Sequence, residues 1–337
     1  ILITGGAGFI AHHIIAHIIK NTDWEIVTLD RLDLSGNLNR LHEILDEFSV
    51  KDKKRLKIVF HDLKAEINSQ IKSELGSPDM ILHLAAASHV DRSIIYPMEF
   101  VLDNVVGTVN LLDFARSLKN LEKFVYFSTD EIFGNAPEGV SYKEYDRYNS
   151  TNPYSASKAS AEEFCVAYEN TYKLPIIITH TMNVFGERQH PEKFIPMTIQ
   201  RVRDSEKVFI HANKEKTKAG SRHYIHAQDV ADGLMFILGL KNYKHEGDFG
   251  NAKCPKFNLV GPEEINNLDL AQKIAEVQKR ELIYELIDNH SSRPGHDLRY
   301  SLSPNLLKSL GWEPKIKLSK RIEEVVDWSL KNKRWLS

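Results

Sequence analysis

Ile1-Leu2-Ile3-Thr4-Gly5-Gly6-Ala7-Gly8-Phe9-Ile10-Ala11 opens the chain, and its reading decides the fold. A short apolar run stops at glycines, and a helix-like stretch from Phe9 to Lys20 follows at once. Glycines permit a tight turn and let backbone N–H groups approach a pyrophosphate, which the positive end of the next helix also attracts. Gly5, Gly8, Phe9 and Ile10 are therefore candidate contacts for a dinucleotide. The last small position is Ala11 where glycine is usual, a change that bears on helix–strand packing and leaves the phosphate turn intact.

Outward from this start, strand-like and helix-like segments alternate. Glu25–Asp30, Leu56–Phe60, Met80–Ala85, Lys123–Ser128 and Ile176–Thr179 read as strands, and Phe100–Leu118 and Ser155–Tyr172 as helices. Such alternation predicts an α/β protein with a doubly wound parallel sheet of Rossmann type. Asp30 closes the second strand, where an acid accepts hydrogen bonds from ribose hydroxyls and favours NAD over NADP. Beyond about Gly186 turn formers and charges multiply. We expect an NAD-binding domain over 1–186 with a returning segment near 222–262, and a smaller α/β substrate lobe interleaved over 187–337.

The 337 residues are 42% hydrophobic and 27% charged, an ordinary globular balance, with a net formal charge of −2. That excludes a disordered chain and gives no basic excess for nucleic acid. The two cysteines, Cys165 and Cys254, form no CxxC pair, so neither a disulfide scaffold nor a metal site is expected, and a reducing, cytoplasmic setting suits them. His13 and His17 share a helix face but lack a third ligand. No apolar run approaches the roughly 20 residues of a membrane span. The chain starts inside an apolar run, so residues before Ile1 are expected.

Tyr154-Ser-Ala-Ser-Lys158 sets a phenol and an ammonium one helical turn apart. A free tyrosine titrates at about 10, and the neighbouring Lys158 together with a positive nicotinamide ring is expected to lower it enough to act as a base. Thr129, at the end of a strand, is placed to share a hydrogen bond with the same substrate oxygen. Asp130-Glu131 follows at the carboxyl end of that strand, where α/β sheets bind ligands. Two carboxyls held at different protonation states suit elimination of water, while the same pair can equally be two solvated loop carboxylates.

With Ser128-Thr129-Asp130-Glu131, Asn152-Pro153-Tyr154-Ser-Ala-Ser-Lys158 and Arg293-Pro-Gly-His-Asp297 added to the glycine-rich start, the chain resembles the extended short-chain dehydrogenase/reductases, and among them the nucleotide-sugar 4,6-dehydratases. The similarity runs nearly end to end. It implies conversion of an NDP-glucose, dTDP-glucose first, to the 4-keto-6-deoxy sugar. Tyr154 would be the base at the 4-hydroxyl, with Lys158 tuning it and holding the nicotinamide ribose. Glu131 would take the C5 proton, Asp130 would protonate the departing hydroxyl, and hydride would return to C6. Arg31, Asp62, Leu63, Leu84, Ala85 and Ala86 complete the expected cofactor contacts. Ser88, Thr129, Asn183, Lys193, Arg222, Arg293 and His296 are the expected substrate contacts, and a homodimer through the two helices named above is implied. The chain departs from the family at His180, where arginine is common, at Ala87, where glutamate is common, and in the charged Lys214–Ser221 stretch. A 4-epimerase would use Tyr154 and Lys158 without the carboxyl pair. A non-catalytic NAD-binding protein would need none of these groups.

Overall fold

The computed structural model describes residues 1–33, 35–241, 243, 245–246, 252–288 and 297–337. The strands Leu2–Thr4 (β1), Ile26–Asp30 (β2), Leu56–Phe60 (β3), Met80–His83 (β4), Lys123–Thr129 (β5) and Ile176–Thr181 (β6) join Lys256–Leu259 in a seven-stranded sheet. The order is β3-β2-β1-β4-β5-β6 and then Lys256–Leu259. β1 pairs in parallel with β2 on one side and β4 on the other. The chain thus winds outward in both directions from β1, the arrangement that opens a crevice at the carboxyl ends of β1 and β4. All three residues of β1 are buried, as an apolar run without alternation should be when both sheet faces are covered.

The first helix, Phe9–Asn21, buries Ile14, Ile15 and Ile18 completely. Each such side chain contributes about 1.5–3 kcal/mol. Gly6 lets this helix lie close to the sheet, because a Cβ there would fall 1.5 Å from Thr28 Oγ1. The chain divides into two compact units, Ile1–Ile132 with Asn152–His180 and Leu234–Phe257, and Phe133–Thr151 with Thr181–Gly233 and Asn258–Ser337. The division differs from the expected one at 133–151, and also at 181–186, 222–233 and 258–262, which belong to the second unit. The 133–151 loop does so because Tyr142 exchanges backbone hydrogen bonds with Ser301 and Ser303, and Ala136 N–H reaches the Arg299 carbonyl.

Two helix boundaries also differ from the sequence reading. The expected Ser155–Tyr172 helix starts at Pro153. The expected Phe100–Leu118 helix is an α-turn at Pro97–Phe100, a wider π-turn at Val101–Val106 and an α-helix at Gly107–Arg116. The second unit, taken by itself, carries a three-stranded sheet of Glu264–Asn266, Ser221–His226 and Asn183–Phe185. The helices Phe194–Arg203, Asn267–Val277 and Leu318–Lys331 share one apolar core with it. Among the described residues no helix is long and apolar enough to cross a membrane.

One buried charge cluster ties the Pro153–Tyr172 helix to the sheet. Glu162 is fully buried, its carboxylate 3.2 Å from His180 Nε2 and accepting from Lys256 Nζ at 2.8 Å. Lys256 thus supplies a cation at this site. Burial alone would raise the Glu162 carboxyl, but His180 and Lys256 outweigh it and hold it well below its usual value. A depressed folded value means that this stabilisation is complete above the ordinary value of 4.5 and fades as the pH falls towards the folded one. Lys256→Met should cost about 3 kcal/mol in denaturant unfolding at neutral pH, because it strands a buried charge. Glu162→Gln should flatten the loss of stability below pH 4.5 that the wild type shows in the same measurement.

Candidate active site

The reactive helix has a fixed start. Asn152 caps it, its side chain accepting from Ser155 N–H at 2.8 Å while the Ser155 hydroxyl accepts from Asn152 N–H at 3.3 Å. Pro153 occupies the first turn, where its missing N–H costs nothing. Tyr154 follows, its N–H donating to Ser93 Oγ at 3.1 Å and its ring standing edge-on to Phe100 at 6.3 Å. Lys158 lies one turn on and is 3% exposed.

Tyr154 shares a hydrogen bond with Thr129. The Thr129 hydroxyl donates to Asp130 Oδ1 at 3.0 Å, and Glu131 N–H donates to Thr129 Oγ1 at 3.3 Å. Asn152 Nδ2 reaches Glu131 Oε2 at 3.4 Å. The structure therefore gathers Thr129, Asp130, Glu131, Tyr154 and Lys158 within one unit. Asp130 is buried and Glu131 half-buried.

In the protein alone, burial, with Glu131 and Asp130 adding to it, pushes the Tyr154 phenol far above its ordinary value, and the Thr129 hydrogen bond offsets only part of the rise. The Lys158 ammonium donates to the Phe127 carbonyl at 2.6 Å and lies 4.3 Å above the Tyr126 ring. Burial lowers it to about 8, so a modest change of environment switches its charge. The phenol of the protein alone is a held proton, and further positive charge is needed to release it.

Beside this cluster a groove with about 610 Å³ of empty space, part of it open to solvent, follows the ends of the first strands. Gly5, Gly8, Asp30, Arg31, Asp62, Leu63, Leu84, Ala85 and Ala86 line it, all expected cofactor contacts. Phe9 and Ile10 sit half-buried in the first helical turn. Gly5 has φ +72°, and a Cβ there would come within 2.9 Å of Ala85 Cα, so the turn is closed to larger residues. The Asp30 carboxylate accepts from Ala7 N–H at 3.0 Å and Leu32 N–H at 2.8 Å. Arg31 is clamped by both oxygens of Asp103, at 2.5 and 2.8 Å, and by Asp33 at 2.7 Å. A narrow glycine turn at an uncapped helix N-terminus and an acid at the second strand fit a dinucleotide. The surrounding carboxylates disfavour an additional phosphate on its ribose.

Ser88 is exposed on the loop after β4. Of the remaining substrate candidates, three lie in the second unit. Asn183 begins a strand, and Lys193 immediately precedes the Phe194–Arg203 helix. Arg222 donates to the Ser221, Leu298 and Asp297 carbonyls at 2.8–3.1 Å and covers the Tyr300 ring at 4.7 Å. Arg293 and His296 fall outside the described residues. Sequence reading missed Tyr126, Asn152, Asp103 and Asn104. Only Asn152 left a signal, since Asn-Pro is a helix-start pair. Asn104 belongs to the π-turn, and its side chain bridges Ala87 and Ser157.

The fold and the Tyr154–Lys158 pair define an extended short-chain dehydrogenase/reductase acting on nucleotide sugars. Within that class the chain belongs to the GDP-mannose 4,6 dehydratase family, whose pattern matches residues 2–325. It is 34% identical to the dTDP-glucose 4,6-dehydratase of Salmonella typhimurium, over 100% of this chain and 94% of the relative. The dTDP-glucose 4,6-dehydratase of Streptomyces venezuelae, solved with NAD bound, superposes with a TM-score of 0.84 at 29% identity, over 99% of this chain and 98% of that one. The UDP-glucose 4-epimerase of Thermus thermophilus, also with NAD, gives 0.82 at 26% identity, over 97% of each chain.

Because Glu131 is among the charges that raise Tyr154, Glu131→Gln should let the phenol titrate at lower pH than in the wild type. Ultraviolet tyrosinate absorption, corrected with Tyr154→Phe, reads that shift.

Proposed function

We propose that this enzyme dehydrates an NDP-glucose, dTDP-glucose first among them, to the NDP-4-keto-6-deoxy sugar. The carboxyl pair Asp130-Glu131, joined through Thr129 to Tyr154, carries the reading. Changing the configuration at C4 needs only the phenol and a hydride carrier. Removing the C5 proton and the C6 hydroxyl needs a base and an acid as well. Those two extra groups stand beside the phenol here.

NAD held by the Gly5–Gly8 turn, Asp30 and the Asp62–Leu63 and Ala85 edges would supply a hydride acceptor and donor, leaving turnover redox-neutral. Tyr154 takes the 4-hydroxyl proton, and Thr129 fixes that hydroxyl by hydrogen bonding. The Lys158 ammonium, held on the Phe127 carbonyl, supplies positive charge that favours the phenolate. Glu131 withdraws the C5 proton, made acidic by the neighbouring ketone. Asp130 protonates the departing hydroxyl. Ser88, Asn183, Lys193, Arg222, Arg293 and His296 are assigned to the nucleotide sugar, the cations for its diphosphate.

Incubation with dTDP-, UDP-, GDP- and CDP-glucose and UDP-N-acetylglucosamine, followed by mass spectrometry, tests the reading. Loss of one water with NAD unchanged overall is expected. A product of unchanged mass would mean epimerisation, and no product from any of them would remove the assignment. In deuterated solvent Glu131→Gln should abolish exchange at C5.

A homodimer and a reducing, cytoplasmic setting complete the proposal. Among the described residues neither cysteine forms a disulfide, and both are buried. The segment preceding the π-turn exposes Ile95 (66%) and Met98 (63%), and Phe164 and Tyr172 are exposed on the Pro153–Tyr172 helix packed beside it. Apolar side chains gathered on packed helices suit a second copy. Met98→Asp with Ile95→Asp should convert the dimer to monomer in light scattering after size exclusion.

A further inference from the structure

Behind the reactive helix lies a buried row of polar groups that the chemistry above leaves unused. His83, the last residue of β4, is 1% exposed. Its Nδ1 is 2.8 Å from Thr4 Oγ1, and its Nε2 is 2.9 Å from Thr108 Oγ1. The neighbours settle where the protons lie. The Thr108 hydroxyl donates to the Asn104 carbonyl, one turn back, at 2.5 Å. Its oxygen can then only accept, so His83 Nε2 carries a proton. The Thr4 oxygen accepts from Ala85 N–H at 3.1 Å, which leaves its own proton for Nδ1. Complete burial favours the same neutral ring, with Lys158 adding to it, and pushes the imidazole down to about 3.

The row therefore runs in one direction, from Ala85 N–H through Thr4, His83 and Thr108 to the Asn104 carbonyl. Both ends matter to the site. Thr4 precedes Gly5, and Ala85 lies close against Gly5, both lining the groove. Asn104 continues the linkage through its side chain to Ser157 at 2.8 Å, and the Ser157 hydroxyl donates to the Tyr154 carbonyl at 2.7 Å. His83 also borders the Tyr126 ring, at 5.7 Å, on which the Lys158 ammonium rests.

We propose that His83, fixed as its Nε2–H tautomer between Thr4 and Thr108, is a positioning residue that locks the β1 and β4 ends of the groove to the helix carrying Tyr154 and Lys158. Its effect on turnover rests on the function proposed above. Its tautomer and its effect on NAD affinity do not.

Thr108→Val keeps the shape and removes the acceptor, while Thr108→Ser restores it. Thr108→Val should lower kcat about tenfold, the scale of one hydrogen bond, with KM for the nucleotide sugar little changed and NAD bound more weakly in titration without sugar. Thr108→Ser should recover most of both. In protein labelled with ¹⁵N-histidine, one buried ring, assigned by its loss in His83→Gln, should show the Nε2–H pattern. An Nδ1–H or doubly protonated ring would overturn the proposal whatever the enzyme's substrate. So would a folded Thr108→Val with wild-type kcat and NAD affinity, even if its unfolding midpoint fell. Absence of turnover in the wild type would instead count against the proposed function and leave the two substrate-free measurements to decide this one.

Discussion

The near-contact of Gly5 with Ala85 is the constraint on which the rest depends. Two parallel strands end side by side at the point where the chain winds away in opposite directions. At that point the backbone turns through φ +72°, with room for hydrogen and not for a methyl group. The turn places an uncapped helix N-terminus at the mouth of the crevice. Thr4, next to the turn, shares its hydroxyl between the Ala85 N–H and His83. A larger residue at Gly5 would separate the two strand ends, and the groove and the buried row beneath it would lose their common boundary.

The proposed acid–base groups are held in a balance of buried charges. Tyr154 keeps its proton because it is buried beside Glu131 and Asp130. Burial lowers the Lys158 ammonium to about 8, and a carbonyl and an aromatic face receive it there. Glu162, one turn further along the helix, is one of the negative charges that favour the ammonium, and it is itself kept ionised by Lys256 and His180. Acid–base groups arranged this way respond strongly to any new charge brought into the site, since the low-polarity surroundings screen it little.

Much of this was legible from local pattern. The glycine turn, the acid ending β2, the carboxyl pair ending β5 and the Tyr154–Lys158 spacing are short-range features, and each lies where strand and helix periodicity puts it. The less legible parts arise from residues far apart in the chain. Tyr126 reads as a core aromatic on an apolar strand until Lys158 is seen above it. Asn104 is one polar residue in a helical run, and the π-turn that turns it towards Ala87 and Ser157 has no signature in the spacing of Val101, Val105 and Val109. Arg222 looks like a free phosphate ligand in sequence, yet three backbone carbonyls already engage its guanidinium.

The order of strands and helices, the glycine turn and the candidate acid–base groups were readable from sequence alone, because each depends on residues within a turn or two of one another. The protonation of those groups was decided only by tertiary structure. Burial and the neighbouring Glu131 and Asp130 hold the proton on Tyr154 in the protein alone, and burial is a property of the assembled chain. The same holds for His83, whose tautomer follows from hydroxyls 79 and 25 residues away in sequence.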